Sequence, residues 1–404
     1  MFGRSKRALS AIASLGLCAM MGISTALAAP KPRSAQNALP LLQTVREVRQ
    51  LTPEQAAQGY PVRVRGVVTG YEKKNVPPGL FVQDATGGIY ADVVSSYGPL
   101  KPGQLVTVEG ISDPGVAPMI KNGRITYDGE GVLPPARRVS ISSVWQGRED
   151  SQRVAVEGLV HLVDVVNGEL LIFIEADGMR IRGRISEGNY QAVPALYGAL
   201  VQLRGVVSSL QNDRGQLLGS EVVLPSPQDI IVEQPPPTDP FSSPLEPIAG
   251  LSQAAVQAAG SLIRVKGFVT FQRVGSSLFI TDGKENLFVR TRQNTSVKPG
   301  TMAEVAGFPR FGDYSPVLDD AVFRPLSATV TLRPTEVSAD DAGSGLHDAE
   351  LISTQGRLLG SSIQAGAPLL THDFQCRVAR RGQSTHTVRS GQRAEGEGRL
   401  PGGE

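Results

Sequence analysis

Residues 60–69 read YPVRVRGVVT and residues 261–270 read SLIRVKGFVT. In the first stretch Val62, Val64, Gly66 and Val68 share one face, with Arg63, Arg65 and Thr69 on the other, the period-two pattern of a half-buried strand. Glycine inside a strand weakens it unless the chain must bend there, as the first strand of a small closed barrel does. The two stretches stay in step downstream. LFVQD (80–84) returns as LFITD (278–282), LKPGQLVTVEG (100–110) as VKPGTMAEVAG (297–307), and VAPMI (116–120) as YSPVL (314–318). The offset drifts only from 201 to 197, as loop deletions would produce.

A second register carries the same duplication. VS(x6)GREDSQRVAVEGLV from Val139 matches VS(x6)GLHDAELISTQGRLL from Val337, at an offset of 198. The repeating unit is therefore a pair of modules, present once in full and once in part. Gly198 and Gly205 repeat the spacing of Gly103–Gly110 and Gly300–Gly307, which ties the second module to the first and third.

Within one module the order is a bent strand, a hairpin (LFVQD-ATGG-IYADV), a Pro-Gly turn and further alternating strands. The expected fold class is all-β: tandem OB-like small β-barrels, two copies of a two-module unit with the last incomplete. A plain β-sandwich is the alternative. Composition agrees, with 45 Gly, 29 Pro and only 5% aromatic residues in 404, a balance that suits short strands and turns.

The boundaries follow from composition. Residues 1–28 read as a signal peptide, with Arg4, Lys6 and Arg7 before an uncharged run, and Ala26 and Ala28 at the positions a signal peptidase reads. An uncleaved anchor is the alternative, since the run could span a bilayer. Residues 29–50 read as linker, 51–135 as module one and 136–232 as module two. The Pro-rich 233–249 is a semi-rigid spacer, 250–333 is module three, 334–380 a partial module four, and 381–404 a disordered or frameshifted tail. LTPEQAAQG (51–59) and GLSQAAVQAAG (250–260) would each cap a barrel end.

The expected location is the periplasm or another extracytoplasmic compartment. Cys376 is the one cysteine beyond the leader, so no intrachain disulfide is expected there. Removing the three leader bases turns the formal charge of +2 into about −1. That near-neutral body argues against nucleic acid as partner, because phosphate neutralisation draws on a basic excess. A small ligand or a protein is left, and the membrane enters only through an uncleaved N-terminus.

Chemistry-bearing motifs are missing. His161, His347, His372 and His386 lack metal-ligand spacing, and there is no HExxH, nucleophile elbow or phosphate loop in a strand-to-helix context. No catalytic residue, metal or cofactor is expected. Asp319-Asp320 and Asp340-Asp341 read as solvated turn residues, and Asp84 and Asp282 as acids bonding the hairpin backbone. One face suggests binding. Tyr90 and Phe288 are equivalent ring positions opposite Ile89 and Leu287, and copy two adds Arg290 and Arg292 where copy one has Asp92 and Val94. Rings beside bases on strands two and three of such a barrel are a stacking platform. The alternative is that the rings cover a neighbouring module.

The combination VRVRGVVT, LFVQDATGGIY, LKPGQLVTVEG and GREDSQRVAVEG resembles the extracytoplasmic sensor region of large bacterial sensor histidine kinases, over roughly residues 45–380. The resemblance implies a signal-input role and, in the family, a following membrane helix and kinase. After Cys376 the apolar alternation stops, and the expectation is a frameshift or truncation. Two other readings stand beside it: a free-standing exported OB protein binding oligosaccharide or nucleic acid, and the accessory modules of a secreted nuclease.

Overall fold

The computed structural model describes residues 39–373 apart from 73, 97–99, 187–194, 213–215, 252–260, 356 and 365–366, together with 397–398, and side chains as far as residue 355. The leader with Ala26 and Ala28, residues 29–38, most of 250–260 and all of the 381–404 tail but 397–398 lie outside the described residues.

Strands β1 (Pro61–Glu72), β2 (Gly79–Asp84), β3 (Gly87–Ser96), β4 (Gln104–Asp113) and β5 (Met119–Glu130) close into a barrel in the order β1-β2-β3-β5-β4. The pair β3–β5 is parallel and the others are antiparallel. This is the five-stranded OB topology. The alternation read from 60–69 is the one observed: Val62, Val64, Gly66 and Val68 face the core with Leu80, Val82, Ile89, Val106 and Val108.

The bend of β1 is a bulge between Val68 and Gly70, where pairing switches to β2. Gly66 does another job. A Cβ there would stand 2.6 Å from Val82 Cγ1 and 2.8 Å from the Gln83 carbonyl oxygen. Gly267 in copy two meets the Thr281 carbonyl oxygen at 2.9 Å. The glycine is needed because β2 crosses almost in contact.

The second module follows the same plan. After the edge strand β6 (Arg137–Arg138) come β7 (Arg153–Val166), β8 (Glu169–Ala176), β9 (Met179–Ile185), β10 (Leu200–Gln211), β11 (Leu217–Val223) and β12 (Ile230–Gln234). Their order runs β12-β10-β11-β9-β8-β7-β6, and an added β10–β7 pairing closes the inner five into the same barrel order. The third barrel is β13 (Ile263–Arg273), β14 (Ser277–Thr281), β15 (Asn286–Arg290), β16 (Thr301–Phe311) and β17 (Pro316–Thr329), in the order β13-β14-β15-β17-β16.

The shared glycine spacing has a physical cause in all three barrels. The first glycine opens the fourth strand at positive φ (Gly103 +95°, Gly198 +81°, Gly300 +87°), which an L side chain resists. The second lies against the fifth strand: a Cβ on Gly110, Gly205 or Gly307 would fall within 3 Å of a neighbouring atom.

Module four begins as module two does. Parallel strands β18 (Thr335–Glu336) and β19 (Ile352–Ser353) repeat β6 and the start of β7. Strands β20 (Arg357–Gln364) and β21 (Ala367–Asp373) pair Arg357 with Asp373, as Leu159 pairs with Glu175, with the same one-residue bulge. Ser151 and Ala349, at the 198-residue offset, both sit at φ +60°.

Residues flanking the barrels are docked rather than loose. A five-residue helix, Val45–Arg49, buries Val45 and Val48 in the first core behind a Thr44/Glu47 capping box, inside the stretch read as linker. The Pro-rich stretch packs on barrel three. Arg324 lies 4.3 Å over the Phe241 ring, and Glu246 N–H donates to the Arg264 carbonyl oxygen at 2.8 Å.

Gly66→Ala is expected to cost about 1–3 kcal/mol, the range for overpacking a tight core. The readout is the urea midpoint, and Gly267→Ala is expected to lower it similarly.

Candidate functional site

The two equivalent hairpins serve different ends. In barrel one, Tyr90 meets Phe81 edge-on, with centroids 5.2 Å apart at 65°. Both pack on Val206 and Val223 of barrel two. Burial, followed by the charges of Asp92 and Glu72, pushes the Tyr90 hydroxyl up to about 12. Beside the rings Arg184 is held between Glu221 at 2.7 Å and Glu72. In copy one the ring covers a neighbouring module.

In barrel three the corresponding ring lines a cleft. Phe288 tilts against Phe279 with centroids 4.8 Å apart, and the Arg290 guanidinium stands 5.6 Å from the Phe288 centroid. The cleft, about 1000 Å³, opens between this hairpin and the β7–β8 hairpin of barrel two, whose wall includes Leu162, Val165 and Leu170. Arg292 follows β15 and lies in the same wall. The structure therefore brings Phe288, Arg290 and Arg292 to one cavity and leaves Tyr90 at a different interface.

Both arginines are engaged by acids that the linear sequence does not connect to them. Arg290 bonds Asp319 at 3.0 Å, and Arg292 reaches across to Asp164 of barrel two at 2.7 Å. Both side chains remain more than half exposed. The Arg292–Asp164 pair is open to water on both sides and contributes at most about 1 kcal/mol, whereas the Asp319 side chain is only 10% exposed, so the Arg290 pair is the firmer of the two.

Arg180, Tyr197 and Asp320 line the cleft and belong to a cluster that was invisible in the sequence. His161, 1% exposed, stacks on Phe308 of barrel three with centroids 3.7 Å apart. Its Nδ1 lies 3.1 Å from an Arg180 nitrogen and 3.7 Å from Asp320. Arg180 pairs with Asp320 at 2.8 Å, and Arg310 pairs with Glu175. Tyr197 donates its hydroxyl to the Asp320 carbonyl oxygen at 2.9 Å, and burial drives its pKa far upward. Asp319 is thus a buried and Asp320 a half-buried strand residue on β17, and the pair joins two barrels rather than forming a solvated turn. Asp320 even keeps the left-handed φ (+46°) of its equivalent Asn122 (+58°). A buried His paired with distant acids leaves no local pattern, so spacing could not reveal it.

Asp340 and Asp341, read as turn residues, lie instead on the short helix Ala339–Ala342, where Asp341 accepts from the Ser338 hydroxyl, whereas the hairpin acids behave as read. Asp84 Oδ1 accepts from Thr86 and Gly87 N–H groups at 2.6 and 3.0 Å, and Asp282 Oδ1 accepts from Lys284 and Glu285 N–H groups at 2.9 Å each. Among the described residues no group of three His, Cys, Asp or Glu side chains is placed to hold a metal. No described helix is long and apolar enough to cross a membrane.

Burial pushes the Asp320 carboxyl upward, but the His161 hydrogen bond and the Arg180 charge outweigh it and hold it below the usual carboxylate range. Its stabilisation is fully present above the unfolded value near pH 4 (~3.9) and lost as pH falls through the folded value. Thermal midpoints are expected to be flat above about pH 5 and to drop below about pH 4. Asp320→Asn is expected to melt lower at neutral pH, with the gap narrowing on acidification.

No family model matches the chain, and no curated protein matches it. Solved structures do. A Replication Protein A heterotrimer bound to single-stranded DNA matches over 69% of this chain and 96% of its own, at 8% identity and TM-score 0.24. The p204 HINb domain matches over 42% and 95%, at 10% identity and TM-score 0.21. An aspartyl-tRNA synthetase from Entamoeba histolytica matches over 31% of this chain, at 10% identity and TM-score 0.21, and the match spans only 27% of the synthetase. Those neighbours are OB-fold proteins, in agreement with the barrel topology. They overturn one expectation. A structure solved with single-stranded DNA stands among them, against the reading that set nucleic acid aside as a partner.

Proposed function

We propose that this chain is a non-catalytic, exported binding protein, and that the cleft between barrels two and three takes single-stranded nucleic acid. The observation that carries this reading is Phe288 with Arg290 over its ring and Arg292 in the same wall of a cavity of about 1000 Å³. A flat ring can stack a base of any sequence, and the half-exposed guanidinium groups of Arg290 and Arg292 have N–H donors left to offer to phosphates, with Arg292 the freer of the two to leave its carboxylate. The apolar wall from Leu162, Val165 and Leu170 gives the opposite side of the slot.

A second reading, the input region of a sensor histidine kinase, rests on the motifs quoted above. In that reading the same cleft is the sensory pocket, and location in the membrane fraction together with a kinase frame downstream of codon 404 would support it.

The test is titration of the leader-free chain with a fluorescent oligodeoxythymidylate at several salt concentrations. Affinity is expected to fall with salt at a log–log slope of about −1.4, the value for two phosphate contacts on a single strand. Phe288→Ala is expected to weaken binding roughly tenfold with the slope unchanged, and Arg290→Ala with Arg292→Ala to flatten the slope. Absence of binding at low salt would overturn the ligand class. Salt-independent binding of an oligosaccharide would reassign the cleft to a sugar.

A further inference from the structure

The two barrel–barrel junctions are tied by acids at equivalent positions. Glu72 and Asp164 each stand four residues after the valine, Val68 or Val160, at which the bulge of the first strand begins. Each carboxylate reaches the next barrel and bonds an arginine there, Arg184 of β9 or Arg292 just past β15.

The two ties differ in how firmly they are closed. Arg184 is held by Glu221 as well as Glu72, and neither acid is more than 5% exposed. Among the described residues the one acid bonded to Arg292 is Asp164, and there the side chains are 62% and 33% exposed. Asp164 is nevertheless aimed. Its Oδ1 accepts the Val165 N–H at 2.8 Å, while Oδ2 takes Arg292 at 2.7 Å. Val165 belongs to the cleft wall, so the wall's own backbone sets the acid beside Arg292.

Carboxylate and phosphate both match the guanidinium fork, so Asp164 competes with any incoming anion for Arg292. A lone anion meets that competitor from bulk solution. A strand whose base already rests on Phe288 presents its next phosphate at a far higher effective concentration. The Arg290–Asp319 pair makes no such distinction, because its acid is largely desolvated and stays in place.

We propose that Asp164 is the specificity-determining residue of this cleft: it withholds Arg292 from lone anions and yields it to a strand anchored on Phe288. This rests on the nucleic-acid reading given above and deepens it.

The test titrates fluorescent oligodeoxythymidylate into the wild type, Asp164→Asn, Arg292→Ala and the double variant. Asparagine keeps the oxygen that accepts the Val165 N–H and loses the charge. Asp164→Asn is expected to bind about fivefold tighter, the ceiling for releasing an exposed ion pair. On the Arg292→Ala background the same substitution is expected to gain nothing. Glu109→Gln, which removes an exposed acid paired with Arg63 on barrel one, is expected to leave binding unchanged. Inorganic phosphate, compared with chloride at equal ionic strength, is expected to raise the thermal midpoint of Asp164→Asn more than that of the wild type. Equal binding by wild type and Asp164→Asn overturns the proposal and leaves the ligand reading standing. So does a gain that survives Arg292→Ala or is shared by Glu109→Gln, or an equal response to phosphate. No oligonucleotide binding by any of these chains at low salt overturns both.

Discussion

Closing five strands into a barrel demands that one strand serve two partners, and β1 does so by pairing with β4 along Pro61–Val67 and with β2 along Val67–Glu72. The handover needs a local break in register and room for β2 to pass over. The bulge after Val68 supplies the first, and the bare Cα of Gly66 supplies the second. Everything else is arranged around that closure: valines face inward because the pleat alternates, and the glycine pair seven residues apart lets the fourth strand begin in a left-handed turn and then lie against the fifth. The motif is legible in sequence because these are backbone constraints, satisfied by a single residue type at fixed spacing.

What surrounds the barrels is set by side chains from distant segments. The hairpin of strands two and three was recognisable in both copies, with Tyr90 and Phe288 opposite a buried aliphatic residue. Its use was not recognisable. In copy one the ring is received by Val206 and Val223, more than a hundred residues downstream, and becomes part of an interface. In copy two Asp92 and Val94 are replaced by Arg290 and Arg292, and the ring borders open space. One hairpin design thus serves cohesion in one copy and a cavity in the other, according to which residues follow the ring.

The same reasoning explains why Asp319-Asp320 and His161 were read as ordinary polar residues. A pair of acids in sequence suggests a turn, because desolvating two carboxylates is costly unless cations lie close by. Here Arg290 on the neighbouring strand and Arg180 from the adjoining barrel supply those cations, with Arg310 also near Asp319. His161 occupies the bulge position of β7, between Val160 and Leu162 in the β8 register, which releases it from the alternation and turns it outward to Phe308. No spacing rule contains that contact, since it depends on how two barrels face each other.

Bulk charge failed for a related reason. A net charge near zero describes the sum over 404 residues, whereas a ligand meets only the groups that line its cleft. Around Phe288 the guanidinium groups of Arg180, Arg290 and Arg292 converge from two barrels, and each is held by an acid rather than left bare. Pairing of this kind keeps the unliganded surface neutral while storing cations where an anion can compete for them. The competition costs little at Arg292, whose ion pair with Asp164 is open to water on both sides, and more at Arg290 and Arg180, whose partners Asp319 and Asp320 are largely desolvated. An anionic chain entering the cleft would therefore engage Arg292 first and leave the ionic cluster joining the two barrels intact.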